Sequence, residues 1–140
     1  MARLGARRAG RRADAPSGPL NRLFDSTILI AHLRGEERAT ALLEDGEPFA
    51  SVISRTEIEG GMRSGERRAV ARLFDALTLL PVTDSVARSA GAMLRTFRRS
   101  HPGIDIADYL IAATADVAGL VLATLNVKHF PMMSGLRPAF

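Results

Sequence analysis

Short apolar runs alternate with longer segments of helical periodicity along most of this chain. Four of the runs are typical of strands and cover Arg22–Asp25, Phe49–Ile53, Leu79–Val82 and Leu120–Thr124. Strands that alternate with helices form βαβ units, and such units build a parallel sheet with helices on both of its faces. We therefore predict one α/β domain over residues 21–140, with a mostly parallel sheet of four or five strands.

Six segments between and after these runs carry apolar residues at helical spacing. They cover Ser26–Leu33, Glu36–Leu43, Ser54–Met62, Glu66–Leu77, Asp84–Arg99 and Asp105–Ala118. We expect Ser54, Asp84 and Asp105 to cap the helices that they begin, because their side-chain oxygens can accept from free helical N–H groups.

The net charge of the chain, +4, lies entirely in its first twenty residues. That segment contains five arginines and one acid, and it is rich in Gly, Ala and Pro. It offers too little apolar surface to offset its ordering entropy, so we predict disorder over residues 1–20. Two interpretations stay open for it: an inert extension, or an arm that binds phosphates without sequence preference.

Several protein classes are excluded by residues that the chain lacks. It contains no cysteine, which excludes a thiol nucleophile, a zinc finger and a disulfide scaffold. The N-terminal arginines are followed by no apolar core of a signal peptide, and no apolar run is long enough to span a membrane. We therefore expect a cytoplasmic protein without a membrane association.

Polar side chains follow the predicted strands at the points where these strands end. Asp25 ends the first strand, Glu57 lies in the helix after the second, and Thr124 and Asn126 follow the fourth. Asp105 and Asp108 begin the helix before that strand, so they face the same edge. Ligands of open α/β sheets bind at this carboxyl edge.

Carboxylates brought together repel one another unless a cation neutralises them. Carboxylate and amide oxygens are the ligands that Mg²⁺ and Mn²⁺ prefer, and Mg²⁺ takes only one or two protein carboxylates and fills its coordination with water and phosphate. The sequence therefore predicts a Mg²⁺ or Mn²⁺ site that acts on a phosphodiester.

Each acid also has a purely structural interpretation. Ser54 and Glu57 have the spacing of a capping box, Asp105 is a natural N-cap, and Asn126 is compatible with an Asx turn. Asp108 lies among apolar residues, so we expect it to be partly buried and to need a partner. The three histidines are too dispersed in the sequence to indicate a site.

Four segments together resemble a PIN domain, and most closely the VapC-type toxins of bacterial toxin–antitoxin pairs. These segments are FDST (24–27), TE (56–57), IADYLIAATA (106–115) and ATLNVKHF (123–130). The resemblance covers about residues 21–138 in the order and spacing of the family. It implies a three-layer α/β sandwich and a Mg²⁺- or Mn²⁺-dependent endoribonuclease that cleaves tRNA or ribosomal RNA. It also implies a VapB-like antitoxin that covers the active site, and a homodimer.

Carried over by position, the resemblance assigns the catalytic acids to Asp25, Glu57 and Asp108. Asp25 and Asp108 would bind the metal, and Glu57 would hold or deprotonate a water. Supporting positions are Ser26, Thr124, Asn126 and Asp105. Many members have a further acid at the position of Asn126 or of His129; its absence here puts the number of metals in doubt.

RNA contacts require basic side chains near this acidic site. The candidates form two clusters, which contain Arg63, Arg67 and Arg68, and Arg95, Arg98 and Arg99. Both clusters are equally compatible with solvated helix faces. Met132, Met133 and Leu136, if exposed, favour a homodimer; the alternative is that this end packs on its own sheet.

A second class of function stays open, a non-catalytic PIN-like module that acts through protein or RNA partners. Asn126 and His129 favour it, whereas the three acids argue against it. An unrelated phosphatase or response-regulator-like α/β domain is poorly supported, because the chain contains a single lysine.

Overall fold

Four short parallel strands form one sheet in the computed structural model, which describes residues 21–140. The strands are β1 (Arg22–Phe24), β2 (Pro48–Ser51), β3 (Thr78–Leu80) and β4 (Val121–Ala123), in the order β3-β2-β1-β4. In this sheet Leu23 of β1 is aligned with Phe49 of β2 and with Leu122 of β4. The predicted parallel sheet is confirmed, with four strands in the part of the chain described. The disorder predicted for residues 1–20 lies outside these residues.

Six helices connect the strands. They are α1 (Ser26–Leu33), α2 (Glu37–Leu43), α3 (Val52–Gly61), α4 (Arg67–Ala76), α5 (Asp84–Phe97) and α6 (Ile106–Ala118). Short 3₁₀ turns cover Ser64–Glu66 and Val127–His129. Helix α6 ends at Gly119, whose φ of 69° lets the chain turn directly into β4.

Alternate residues of each strand face two different helix layers. Phe24 of β1 and Ala50 of β2 pack with the apolar residues of α1 to α4, among them Ile28 and Leu73. Leu23 packs on the other face with α6 and with Phe130. Helix α5 packs on α6 through a smaller cluster that includes Val86, Ala90 and Tyr109. The sheet is therefore the middle layer of a three-layer sandwich, as predicted.

The second strand ends earlier than predicted. Val52 and Ile53 are β-branched and favour a strand, but the Ser51 hydroxyl accepts from Ile53 N at 3.0 Å and begins α3 there. The prediction that Ser54 caps this helix is wrong: Ser54 lies inside α3, fully buried. The capping box that included Glu57 is therefore absent, and Glu57 is free for another role.

Two further local predictions are corrected. Thr83, not Asp84, caps α5, through a 3.2 Å hydrogen bond from Val86 N to its hydroxyl. The third strand ends at Leu80 because Pro81 has no N–H to give to the sheet. Asp105 does cap α6, as expected.

The end of the chain packs on its own domain. Met132, Met133 and Leu136 are half-buried against the cluster that contains Leu23 and Phe130. The expectation that they are exposed is wrong, and the alternative interpretation holds. No helix within residues 21–140 has the length and apolar character needed to cross a bilayer.

Candidate active site

Asp25 lies at the carboxyl end of β1 and caps α1. Its Oδ1 accepts from Thr27 N at 3.1 Å, from Ile28 N at 3.4 Å and from the Thr27 hydroxyl at 2.6 Å. Its Oδ2 accepts from the Thr124 hydroxyl at 2.6 Å. The side chain is almost completely buried. Burial raises the pKa of the Asp25 carboxyl, and the hydrogen bonds from Thr124 and Thr27 partly offset this increase.

The turn after β4 supports these contacts from the other side. Leu125 N donates to the Thr27 hydroxyl at 3.0 Å, and Asn126 N donates to the Thr124 hydroxyl at 2.9 Å. The ends of β1 and β4 are therefore joined through two threonine side chains. Thr124 was among the predicted supporting residues, whereas Thr27 was not assigned a role. The one available signal was its place two residues after an acid at a strand end.

Glu57 projects from the second turn of α3 and is exposed. The Ser26 hydroxyl donates to Glu57 Oε1 at 2.6 Å. Because Ser26 follows Asp25 directly, this contact attaches the Glu57 side chain to the end of β1. Ser26, one of the predicted supporting residues, thus contacts Glu57.

Asp108 lies in the first turn of α6, one turn after Asp105, and its side chain is 15% exposed. Desolvation raises the pKa of the Asp108 carboxyl, and the charges of Glu57 and Asp105 raise it further. The charge of His129 and its hydrogen bond lower this pKa. The low exposure of Asp108 and the contact of its Oδ2 with His129 confirm the expected partial burial with a partner.

The contact between His129 and Asp108 was not predicted from the sequence. Nδ1 of His129 lies 3.0 Å from Asp108 Oδ2, and the His129 side chain is 51% exposed. No local pattern indicates this pair, because the 3₁₀ turn after β4 brings His129 to a helix that precedes that strand. Asn126 begins this turn, but its side chain makes no hydrogen bond within the described residues, so the Asx turn is not formed.

The oxygen donors fit a hard divalent cation in their chemistry. None of the carboxylates of Asp25, Glu57 and Asp108 pairs with a lysine or arginine of residues 21–140. Nor does any group of three acidic or histidine side chains in this range converge closely enough to enclose a cation by itself. The arrangement therefore suits a cation with one or two direct carboxylate ligands and water for the rest, which is the usual coordination of Mg²⁺.

The predicted basic clusters are exposed and lie next to the elements that carry the acids. Arg63, Arg67 and Arg68 follow α3, and Arg98 and Arg99 begin the loop that leads to Asp105. Arg95 lies on the last turn of α5. None of the six forms an ion pair within the described residues.

Comparison with known proteins identifies the family of the chain. Residues 22–131 match the PIN domain family. The chain belongs to the PIN-domain family. This PIN domain is 53% identical over 122 residues to Ribonuclease VapC10 of Mycobacterium tuberculosis, which covers 84% of this chain and 92% of that protein. It is 44% identical over 124 residues to Ribonuclease VapC19 of the same species, covering 85% of this chain and 99% of that protein.

A solved structure has the same fold. The PIN domain aligns with a chain of a toxin–antitoxin complex from Klebsiella pneumoniae with a TM-score of 0.69 and 26% identity. The alignment covers 84% of this chain and 97% of that one. The predicted family and three-layer fold are thus confirmed.

Proposed function

We propose that this PIN domain is a metal-dependent endoribonuclease, the toxin of a toxin–antitoxin pair, and that it hydrolyses tRNA or ribosomal RNA in the cytoplasm. The observation that carries the proposal is the set of carboxylates at the carboxyl edge of the sheet. Asp25 accepts from four donors, Glu57 accepts from Ser26, and Asp108 lies one turn after Asp105 and contacts His129. The similarity to ribonucleases named VapC supports the same conclusion.

The cation of this proposal is Mg²⁺ or Mn²⁺, and Asp25 and Asp108 would hold it. A divalent cation acidifies water and neutralises the charge that develops on a phosphodiester during hydrolysis. Glu57, exposed and fixed by Ser26, accepts the proton of the attacking water. The Asn126 side chain makes no hydrogen bond within residues 21–140, and in this proposal it orients water at the same edge. Asp105 adds negative charge one turn from Asp108.

An RNA-cleavage assay with and without EDTA tests this assignment. Asp25→Ala and Asp108→Ala should abolish cleavage. Asp116→Ala is the matched control, since Asp116 is an exposed acid at the other end of α6. Cleavage that persists in EDTA, or in either of the first two variants, would overturn the assignment. Mapping new RNA ends in whole-cell RNA after induction, against the Asp108→Ala variant, identifies the target.

We further propose that RNA phosphates bind Arg63, Arg67 and Arg68 on one side of the site, and Arg95, Arg98 and Arg99 on the other. Their exposure and lack of ion pairs within residues 21–140 support this role. Phosphate contacts of this kind contribute binding that weakens steeply with salt.

A VapB-like antitoxin is the proposed protein partner, supported by the similarity to a chain of a toxin–antitoxin complex. A homodimer is also proposed, although burial of Met132, Met133 and Leu136 removes one argument for it. Light scattering of the purified chain, alone and with the antitoxin encoded beside it, measures both assemblies.

One observation favours the second candidate function, a non-catalytic binding module. No three acids of the described residues converge around a common point, and His129 already pairs with Asp108. Titration with Mn²⁺ by calorimetry distinguishes the two candidates, because only the nuclease requires saturable binding that Asp108→Ala removes.

A further inference from the structure

The Asp25 carboxylate is surrounded by donors from two separate parts of the chain. Three of them act on Oδ1, namely Thr27 N, Ile28 N and the Thr27 hydroxyl. A single donor, the Thr124 hydroxyl, acts on Oδ2. The two carboxylate oxygens are therefore in different environments.

The proton of each threonine hydroxyl can be assigned from the contacts. A hydroxyl has one proton, and Thr27 Oγ1 already accepts from Leu125 N at 3.0 Å. Its own proton therefore goes to Asp25 Oδ1, 2.6 Å away. In the same way Thr124 Oγ1 accepts from Asn126 N and donates to Asp25 Oδ2. The 3.5 Å approach of the two hydroxyls consequently uses neither proton.

This pattern leaves one carboxylate oxygen available to a ligand. A carboxylate oxygen has two lone-pair sites. Three donors saturate Oδ1, whereas one donor leaves a free site on Oδ2. One oxygen of the Asp25 carboxylate, Oδ2, is therefore available to coordinate a cation. The 2.6 Å hydrogen bond from the Thr27 hydroxyl to Oδ1 restricts rotation of the carboxylate.

We infer that Thr27 is a positioning residue for cation binding: its hydroxyl, fixed by Leu125 N, holds the Asp25 carboxylate so that Oδ2 is the oxygen that would bind a cation. The inference rests on the proposed metal dependence. The Thr27 hydroxyl donates to Asp25 Oδ1 and accepts from Leu125 N, so Thr27 would act on the cation only through Asp25. Groups that orient ligating side chains in this way typically change metal affinity 10- to 100-fold, roughly, when they are removed.

A merely structural role for Thr27 makes a different prediction. Thr27 joins α1 to the turn after β4, so loss of its hydroxyl leaves Leu125 N without an acceptor and lowers the melting temperature. Such a loss of stability alone would leave the cation affinity of the folded protein unchanged. Affinity for the metal alone, measured below the melting temperature, therefore separates the two roles.

The test is titration of the full chain with MnCl₂, by calorimetry and by electron paramagnetic resonance of free Mn²⁺. Thr27→Val keeps the shape and removes the hydroxyl, and we expect Mn²⁺ affinity to fall about tenfold or more. Thr27→Ser keeps the hydroxyl and should retain the wild-type affinity. Thr96→Val is the control, because within the part of the chain that the structure describes the Thr96 hydroxyl bonds only to Ala92 O, on the exposed face of α5.

Three results would overturn the inference. The first is wild-type Mn²⁺ affinity in Thr27→Val, and the second is an equal loss in Thr27→Val and Thr27→Ser, which would assign the effect to packing. The third is absence of Mn²⁺ binding by the wild-type protein, which would overturn the proposed metal dependence as well. The first two results do not contradict the proposed metal dependence. Failure of the inference about Thr27 can therefore be distinguished from failure of the proposed function.

Discussion

Nδ1 of His129 lies 3.0 Å from Oδ2 of Asp108, and this contact lowers the pKa of the Asp108 carboxyl. Desolvation and the charges of Glu57 and Asp105 act in the opposite direction and raise this pKa overall. Ionisation of Asp108 therefore costs the metal-free protein stability. Sites that bind charged ligands commonly carry such a cost.

Replacement of Asp108 by Asn should therefore stabilise the metal-free protein. A carboxyl whose pKa is raised by folding contributes stability below its unfolded pKa, and this contribution is lost as the pH rises through the folded pKa. Asn does not titrate and can still accept from His129. We expect the Asp108→Asn variant to melt a few degrees above the wild type at pH 8, with the difference shrinking toward pH 4.

Thermal unfolding in EDTA across this pH range measures the effect, and Asp116→Asn on the exposed part of α6 is the control. An Asp108→Asn variant that is less stable than the wild type at pH 8 would show that the bond to His129 outweighs the desolvation and the repulsion.

Addition of a divalent cation should reverse the order of stability. A ligand that binds only the folded state at about 100 times its Kd stabilises that state by about 2.7 kcal/mol. For a domain of this size we expect saturating MnCl₂ to raise the Tm by roughly 10 °C. The same addition should leave the Tm of Asp108→Asn nearly unchanged. Scanning calorimetry measures the Tm of both proteins. An equal increase of Tm in the wild type and in Asp108→Asn would show that the cation binds at a site that does not include Asp108.

Ser26 offers a test of the position of Glu57. Loss of the 2.6 Å hydrogen bond in Ser26→Ala frees the exposed Glu57 side chain, so kcat for RNA cleavage should fall roughly tenfold with little change in KM. The control is Ser89→Ala, which removes another hydroxyl that faces a carboxylate, that of Asp116, at 3.5 Å and away from the site. Steady-state cleavage of one RNA substrate compares them, and equal activity of Ser26→Ala and wild type would remove Glu57 from the chemistry.

The alternation of strands and helices was sufficient to predict the three layers and the edge of the sheet at which Asp25 lies, because both depend on local patterns. Asp105 was identified as a cap for the same reason. The sequence could not distinguish Ser51 from Ser54 as the start of α3, since both are serines near β-branched residues. The contacts of Thr27 with Leu125 and of His129 with Asp108 depend on how separate elements pack, and no local pattern encodes them.

The arginines at the end of α5 should control RNA binding. We expect the double variant Arg98→Glu and Arg99→Glu, made in the Asp108→Asn background, to bind single-stranded RNA at least tenfold more weakly at low salt. Two lost phosphate contacts should make the slope of log affinity against log salt shallower by roughly 1.4. Fluorescence anisotropy at several salt concentrations measures both. The control is Arg88→Glu in the first half of α5, and equal effects of the two variants would indicate general charge rather than a local contact.

Two exposed glycines with different backbone conformations should respond in opposite ways to alanine. Gly119 ends α6 with a φ of 69°, and its N–H bonds back to Ala115 O and Asp116 O. Alanine at this position is strained although a Cβ there meets nothing within 4 Å, so we expect Gly119→Ala to lower the free energy of unfolding by about 1 kcal/mol.

Gly91 lies inside α5, and a Cβ there also meets nothing within 4 Å. Gly91→Ala should therefore raise the free energy of unfolding by up to about 1 kcal/mol, because alanine loses less backbone entropy in a helix. Urea unfolding followed by circular dichroism measures both changes. Destabilisation of similar size in both variants would mean that contacts of the new methyl group, rather than backbone conformation, determine the response.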